Sequence, residues 1–118
     1  VESDADMLSA LDEGWRHSNG LCDISVETRD LFRRPLLPDE LDRFAAAVID
    51  PPRAGAEAQV TELCKSNIRR IAFVSCNPVT FARDAALLTQ AGYELEWMDV
   101  VDQFRWSTHV ELVALFTR

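Results

Sequence analysis

Membrane-length apolar runs are missing from this sequence. None approaches about 18 consecutive apolar residues, so no segment suits a bilayer-spanning helix. Glycine and proline are scarce, at four and five among 118 residues, which excludes collagen-like and low-complexity chains. The three cysteines (Cys22, Cys64, Cys76) are odd in number, widely spaced and without His or Cys partners at metal spacing. A disulfide scaffold or a zinc site is therefore not expected, and a reducing cytoplasm is the expected compartment. The opening Val1-Glu2-Ser3-Asp4-Ala5-Asp6 lacks the basic-then-apolar layout of a signal peptide. Positive charge is short too: 12 basic residues face 20 acidic ones, a net of −8. Residues 1–50 hold twelve carboxylates against five arginines, and the remaining residues are nearly balanced. Stand-alone nucleic-acid binders carry the opposite sign. Any grip on nucleic acid must come from local arginines or from protein outside this chain.

What is present is the mix of a globular domain, 47% apolar and 27% charged. Asp4 to Trp15 reads as a helix with Met7, Leu8 and Leu11 on one face. Asp23 to Thr28 alternates like a strand, and a helical turn is expected near Glu40. Ala45–Ile49 and Ile71–Val74 are short apolar runs of the kind buried on both faces in parallel sheets. A helix over about Ala56–Cys64 separates them, with Val60, Leu63 and Cys64 inward. Asn77 is a good N-cap and Pro78 suits a first helical position; that helix carries Phe81, Ala85 and Leu88 inward and ends at Gly92. Two further strands are expected, over Tyr93–Val101 and His109–Phe116. Alternation of this kind predicts an α/β sheet with right-handed crossovers, whose ligands gather beyond the carboxyl ends of the strands. Asp50 and Cys76 both fall there.

Asp50-Pro51-Pro52-Arg53 makes a rigid, extended exit from a buried strand. The plain alternative is a strand terminator. Cys76 stands just before a helix start, whose unsatisfied amides favour thiolate over thiol; the plain alternative is a packed core cysteine. Cys22 and Cys64 lack such surroundings and read as core residues. Glu111 lies between Val110 and Leu112 near the start of an apolar strand, where a carboxylate is costly unless paired or used. His109 shares its strand face.

Asp50-Pro51-Pro52-Arg53-Ala54-Gly55, then Ser75-Cys76-Asn77-Pro78 with Thr80, Arg83 and Asp84, then His109-Val110-Glu111 together resemble the last three motifs of the RNA uracil-5-methyltransferases. The resemblance covers nearly the whole chain, since Val1-Glu2 resembles the acidic end of that family's second strand. It implies the C-terminal portion of a class I (Rossmann-like) S-adenosylmethionine-dependent methyltransferase sheet, mostly parallel with an antiparallel edge. Residues 1–118 would then be a partial catalytic domain. The first strands, the Gly-rich turn and the N-terminal RNA-binding region would lie outside it, and the fragment alone would be inactive. It further implies S-adenosylmethionine as methyl donor, transfer or ribosomal RNA as partner, and no metal. Cys76 matches the family's nucleophile and Glu111 its base. Asp50 matches an acid lining the donor site, Glu2 the acid holding the ribose hydroxyls, and Asp30 an acid near the adenine. The family reads Phe-Pro ahead of its His-Val-Glu, where this chain has Phe104-Arg105-Trp106-Ser107 with the spacing to Glu111 kept.

Such residues suit the chemistry. Uracil C5 is a poor nucleophile until a thiolate adds to C6, and a base must later take the C5 proton. Three other readings fit less of the chain. An amino-group methyltransferase wants an aromatic residue where Arg53 stands and has no use for Cys76. A cysteine hydrolase using Cys76, His109 and Glu111 leaves Asp50-Pro51-Pro52-Arg53 unexplained. An inactive fragment would keep the motifs as relics. With the central strands missing, one sheet edge would be open. It is expected to close by Asp23–Thr28 moving in beside Ala46–Ile49, or else to pair with a second molecule as a dimer.

Overall fold

The computed structural model describes residues 1–103 and 105–118. It divides into two compact units, Val1–Pro35 and Leu36–Arg118.

The first unit holds helix α1 (Ala5–Arg16). Asp4 caps it, its Oδ1 accepting from the Asp6 and Met7 amides at 2.9 and 3.1 Å. Of the expected apolar face only Leu8 is buried, while Met7 and Leu11 stay exposed. The strand expected at Asp23–Thr28 does not form. Only Thr28 finds a sheet partner, in an isolated parallel bridge to Glu2. Ile24 and Val26 alternate with polar neighbours but remain exposed. Alternation makes a strand only where a neighbouring backbone takes up its hydrogen bonds. Cys22 lies in the same irregular stretch and is exposed, contrary to its reading as a core residue.

The second unit runs α2 (Pro38–Leu41), β1 (Ala47–Ile49), α3 (Glu57–Lys65), β2 (Arg70–Ser75), α4 (Pro78–Gln90), β3 (Glu94–Val101) and β4 (Glu111–Thr117). The sheet order is β1-β2-β4-β3, with β1 parallel to β2 and β4 antiparallel to both its neighbours. Three strands thus point one way. The antiparallel strand lies inside the sheet, between β2 and β3, rather than at its edge. A short β3–β4 connection cannot carry a crossover, so β4 must return antiparallel, and it inserts beside β2.

Strict alternation along β2 and β4 sends Ile71, Phe73, Leu112, Ala114 and Phe116 to one buried face. There they meet Val60 and Leu63 from α3 and Phe81 and Leu88 from α4. Phe73, Phe81 and Phe116 stack in tilted pairs, with centroids 5.3 and 6.2 Å apart. Each such side chain contributes about 1.5–3 kcal/mol by burial. Among the described residues β1 is the outer strand on its side.

Candidate functional site

The second unit brings three of the five candidate residues to one edge of the sheet. β1 and β2 are parallel, so Asp50 and Cys76 leave the sheet on the same side. β4 runs the other way and begins there with Glu111. The β2–β4 register ends with Ser75 opposite Leu112, and Cys76 and Glu111 are the next residues of the two segments at that edge. Ile49, Ser75 and Leu112 face the helices, so alternation turns Asp50, Cys76 and Glu111 to the other face. Cys76 and Glu111 are half-buried and Asp50 is exposed. Among the described residues, none of the three side chains makes a hydrogen bond or ion pair.

Their surroundings, by contrast, are tightly bonded. Ser75 Oγ bridges the next turn, accepting from the Asn77 amide and donating to the Asn77 carbonyl, both at 3.2 Å. Cys76 is thereby held between two fixed residues. Asn77 caps α4 through Oδ1, which accepts from the Val79 amide at 3.1 Å. Its Nδ2 donates to the Arg53 carbonyl at 2.8 Å, and Thr80 Oγ1 donates to that same carbonyl at 3.2 Å. Arg83 Nη2 reaches the Ala54 carbonyl at 3.2 Å. Asp84, fully buried, accepts from the Ala56 amide at 2.7 Å and from Arg83 Nε at 2.8 Å. The loop after Asp50 is thus clamped to the first turns of α4. Its own turn closes with Gly55 donating to the Pro52 carbonyl at 2.8 Å, and Gly55 has φ 81°.

Asp84 and Thr80 were legible only as parts of a motif. Asp84 lies three residues beyond Phe81, on the inward face of a helix. An acid in that position must be paired, and that signal points to it as a structural anchor.

Glu2 and Asp30 belong to the first unit. Glu2 Oε1 accepts from the Ser3 amide at 2.6 Å, from Ser3 Oγ at 3.0 Å and from the Asp4 amide at 3.1 Å. The Asp4 amide, followed by the Ser3 hydroxyl and amide, holds this carboxyl below the ordinary glutamate range. It is a carboxylate with one oxygen in use. Asp30 Oδ1 accepts from the Phe32 amide at 2.9 Å, closing an Asx turn, and Arg33 Nε lies 3.5 Å from Oδ2. His109 is exposed, its amide donating to Ser107 Oγ at 3.1 Å. Phe104, where the chain leaves the Phe-Pro pattern, lies outside the described residues. Among the described residues no His/Cys/Asp/Glu cluster could hold a metal, and no helix is long and apolar enough to cross a membrane.

The other thiols differ from Cys76. Burial pushes Cys64 above the ordinary thiol range, and its Sγ–H donates to the Leu87 carbonyl at 3.5 Å. Iodoacetamide at neutral pH should modify Cys64 about ten-fold more slowly than exposed Cys22, read by peptide mass spectrometry. The lag should narrow as pH rises past the ordinary thiol range. Equal rates at neutral pH would contradict the burial argument.

The mixed α/β sheet is that of a Rossmann-like methyltransferase fold. The structure superposes over 99% of its length on 28% of the Pyrococcus abyssi tRNA (uracil-54, C5)-methyltransferase solved with S-adenosyl-L-homocysteine. The TM-score is 0.80 at 29% identity. Residues 18–118 match the tRNA (Uracil-5-)-methyltransferase family, and the chain belongs to it. An uncharacterized RNA methyltransferase of Brucella suis is 56% identical over 118 residues, all of this chain and 28% of that protein. A 23S rRNA (uracil(1939)-C(5))-methyltransferase of Nitrosococcus oceani is 49% identical over 74 residues, 62% of this chain and 17% of that protein. The chain spans less than a third of the length of these relatives.

Proposed function

We propose that the protein to which this chain belongs methylates C5 of uridine in transfer or ribosomal RNA, with S-adenosylmethionine as donor. The observation that carries the reading is the β2–β4 register. Its last pair, Ser75 with Leu112, leaves Cys76 and Glu111 next to each other's strands at one edge of the sheet, with both side chains uncommitted.

In this reading the Cys76 thiolate adds to C6 of a uridine flipped out of its stack. The ring electrons move onto C5 and O4, which makes C5 nucleophilic. When bound, S-adenosylmethionine supplies the methyl group as an electrophile on its sulfonium. Glu111 then takes the C5 proton; the C5–C6 double bond re-forms and the Cys76 sulfur leaves with its electron pair. Balance requires no metal. A free thiol at Cys76 suits a reducing compartment such as the cytoplasm.

The carboxylates present fit such a donor. Glu2 is held ionised with Oε2 uncommitted, as an acceptor for ribose hydroxyls must be. Asp50 is an uncommitted acid at a strand end. Asp30 would use Oδ2, in place of its pairing with exposed Arg33, since Oδ1 is spent on its own turn. The test is methyl transfer from labelled S-adenosylmethionine to unmodified RNA by the full-length protein, with the nucleoside identified by mass. Label in an exocyclic amine, or none in RNA, would overturn the reading.

We further propose that this 118-residue chain by itself pairs through the outer edge of β1, where Val48 is 77% exposed. Sedimentation should show a dimer that Val48→Lys shifts to monomer. A monomer at all concentrations would rule this out.

A further inference from the structure

Four side-chain donors and acceptors fix the backbone from Arg53 to Ala56, and two of them, Asn77 Nδ2 and Thr80 Oγ1, converge on the Arg53 carbonyl. The Arg53 side chain is exposed and, among the described residues, has no hydrogen bond or ion pair. A pinned backbone with a free guanidinium is unusual in this unit. Arg83 is spent on Glu57 and Asp84, and Arg118 on the Cys64 and Ser66 carbonyls and the Tyr93 ring. Arg43 lies over the Phe44 ring, and Arg105 is exposed in the β3–β4 loop without the backbone clamp that holds Arg53. Arg69 and Arg70 sit at the opposite end of the sheet, where β2 begins. Arg53 stands three residues after Asp50, at the edge that carries Cys76 and Glu111.

We propose that Arg53 is a phosphate-binding residue for the RNA substrate, held in place by Asn77 and Thr80. This rests on the RNA-methylating function proposed above. The chemistry follows from charge: a chain of net −8 repels a polyanion, so a phosphate near the site needs a local, pre-positioned cation. Guanidinium suits a phosphate because its fork of N–H donors matches two oxygens. Fixing the carbonyl limits the swing of the side chain to its own torsions, which lowers the entropy lost on contact.

The test compares Arg53→Gln with Arg70→Gln in the full-length protein, the same charge change at opposite ends of the sheet. Arg53→Gln should raise KM for RNA roughly ten-fold at low salt, with kcat and KM for S-adenosylmethionine unchanged. It should also lower the slope of log KM against log salt by about one, the signature of a lost phosphate contact. Arg53→Lys should retain the slope, and Arg70→Gln should leave both quantities alone. Equal effects of the two glutamine variants would mean bulk charge only and overturn the assignment. So would a rise confined to KM for S-adenosylmethionine, which would place Arg53 on the donor. Absence of RNA methylation by the unsubstituted protein would instead defeat the functional reading, before Arg53 is tested.

Discussion

Cys76→Ala in the full-length protein is expected to lower methyl transfer to RNA by about four orders of magnitude or more, with S-adenosylmethionine binding unchanged. Glu111→Ala should behave differently, because the proposed mechanism uses the two residues at different stages. In that mechanism the uracil ring is not activated without Cys76, so no covalent protein–RNA species is expected. Without Glu111, addition and methyl transfer should proceed, but the C5 proton would stay and the sulfur could not leave. A denaturing gel should then show a protein–RNA band for Glu111→Ala, absent from Cys76→Ala and from the double variant. The geometry behind this contrast is the β2–β4 register, which brings the two residues to one edge of the sheet from segments 35 positions apart in sequence. Cys76→Ala retaining near-normal turnover would remove covalent catalysis from the reading. A band in Cys76→Ala would move the nucleophile elsewhere.

How far that site could be read beforehand depends on the range of the interactions that build it. Ala47–Ile49, Arg70–Ser75 and Pro78–Gln90 announce themselves through local signals: short apolar runs, an Asn77-Pro78 start and an inward face of Phe81 and Leu88. Parallel order then suffices to place Asp50 and Cys76 at one edge. The insertion of β4 between β2 and β3 was not legible, because both Glu94–Val101 and Glu111–Thr117 alternate and neither pattern names its neighbour. Asp23–Thr28 has the same kind of pattern as these strands, yet it finds only the single bridge from Thr28 to Glu2 and no ladder forms. Leu8, Met7 and Leu11 share one helical stripe, and only Leu8 is buried. Periodicity shows that a face could be buried and not what covers it. The clamp between the loop after Asp50 and α4 is least visible of all. Its bonds join residues 24 to 29 apart, between side chains and backbone carbonyls or amides that have no sequence signature.

That clamp carries the largest stability effects expected in the chain. Asp84→Ala should destabilise the second unit by about 3–5 kcal/mol, read as a lowered urea midpoint. The carboxylate is fully buried and serves both Arg83 and the Ala56 amide, so its removal leaves that amide without a partner and takes from Arg83 its buried one. Asp84→Asn keeps an acceptor for Ala56 and should cost less. Gly55→Ala strikes the same place from the other side. At φ 81° an alanine loses about 1–2 kcal/mol to its own backbone. Its Cβ would stand 2.9 Å from Thr80 Cβ, 2.7 Å from Asp84 Oδ2 and 2.5 Å from Arg83 Nη2. Arg83 can swing away, but Thr80 Cβ sits on a helix and cannot, so the loop itself must move. Moving it breaks the bond from the Ala56 amide to Asp84, which Asp84→Ala also removes. The two substitutions should therefore be far from additive, the double variant costing little more than the worse single one. Full additivity would mean that Gly55 and Asp84 support different parts of the fold. A loss under about 1 kcal/mol for Asp84→Ala would mean that the loop after Asp50 holds its shape without the clamp.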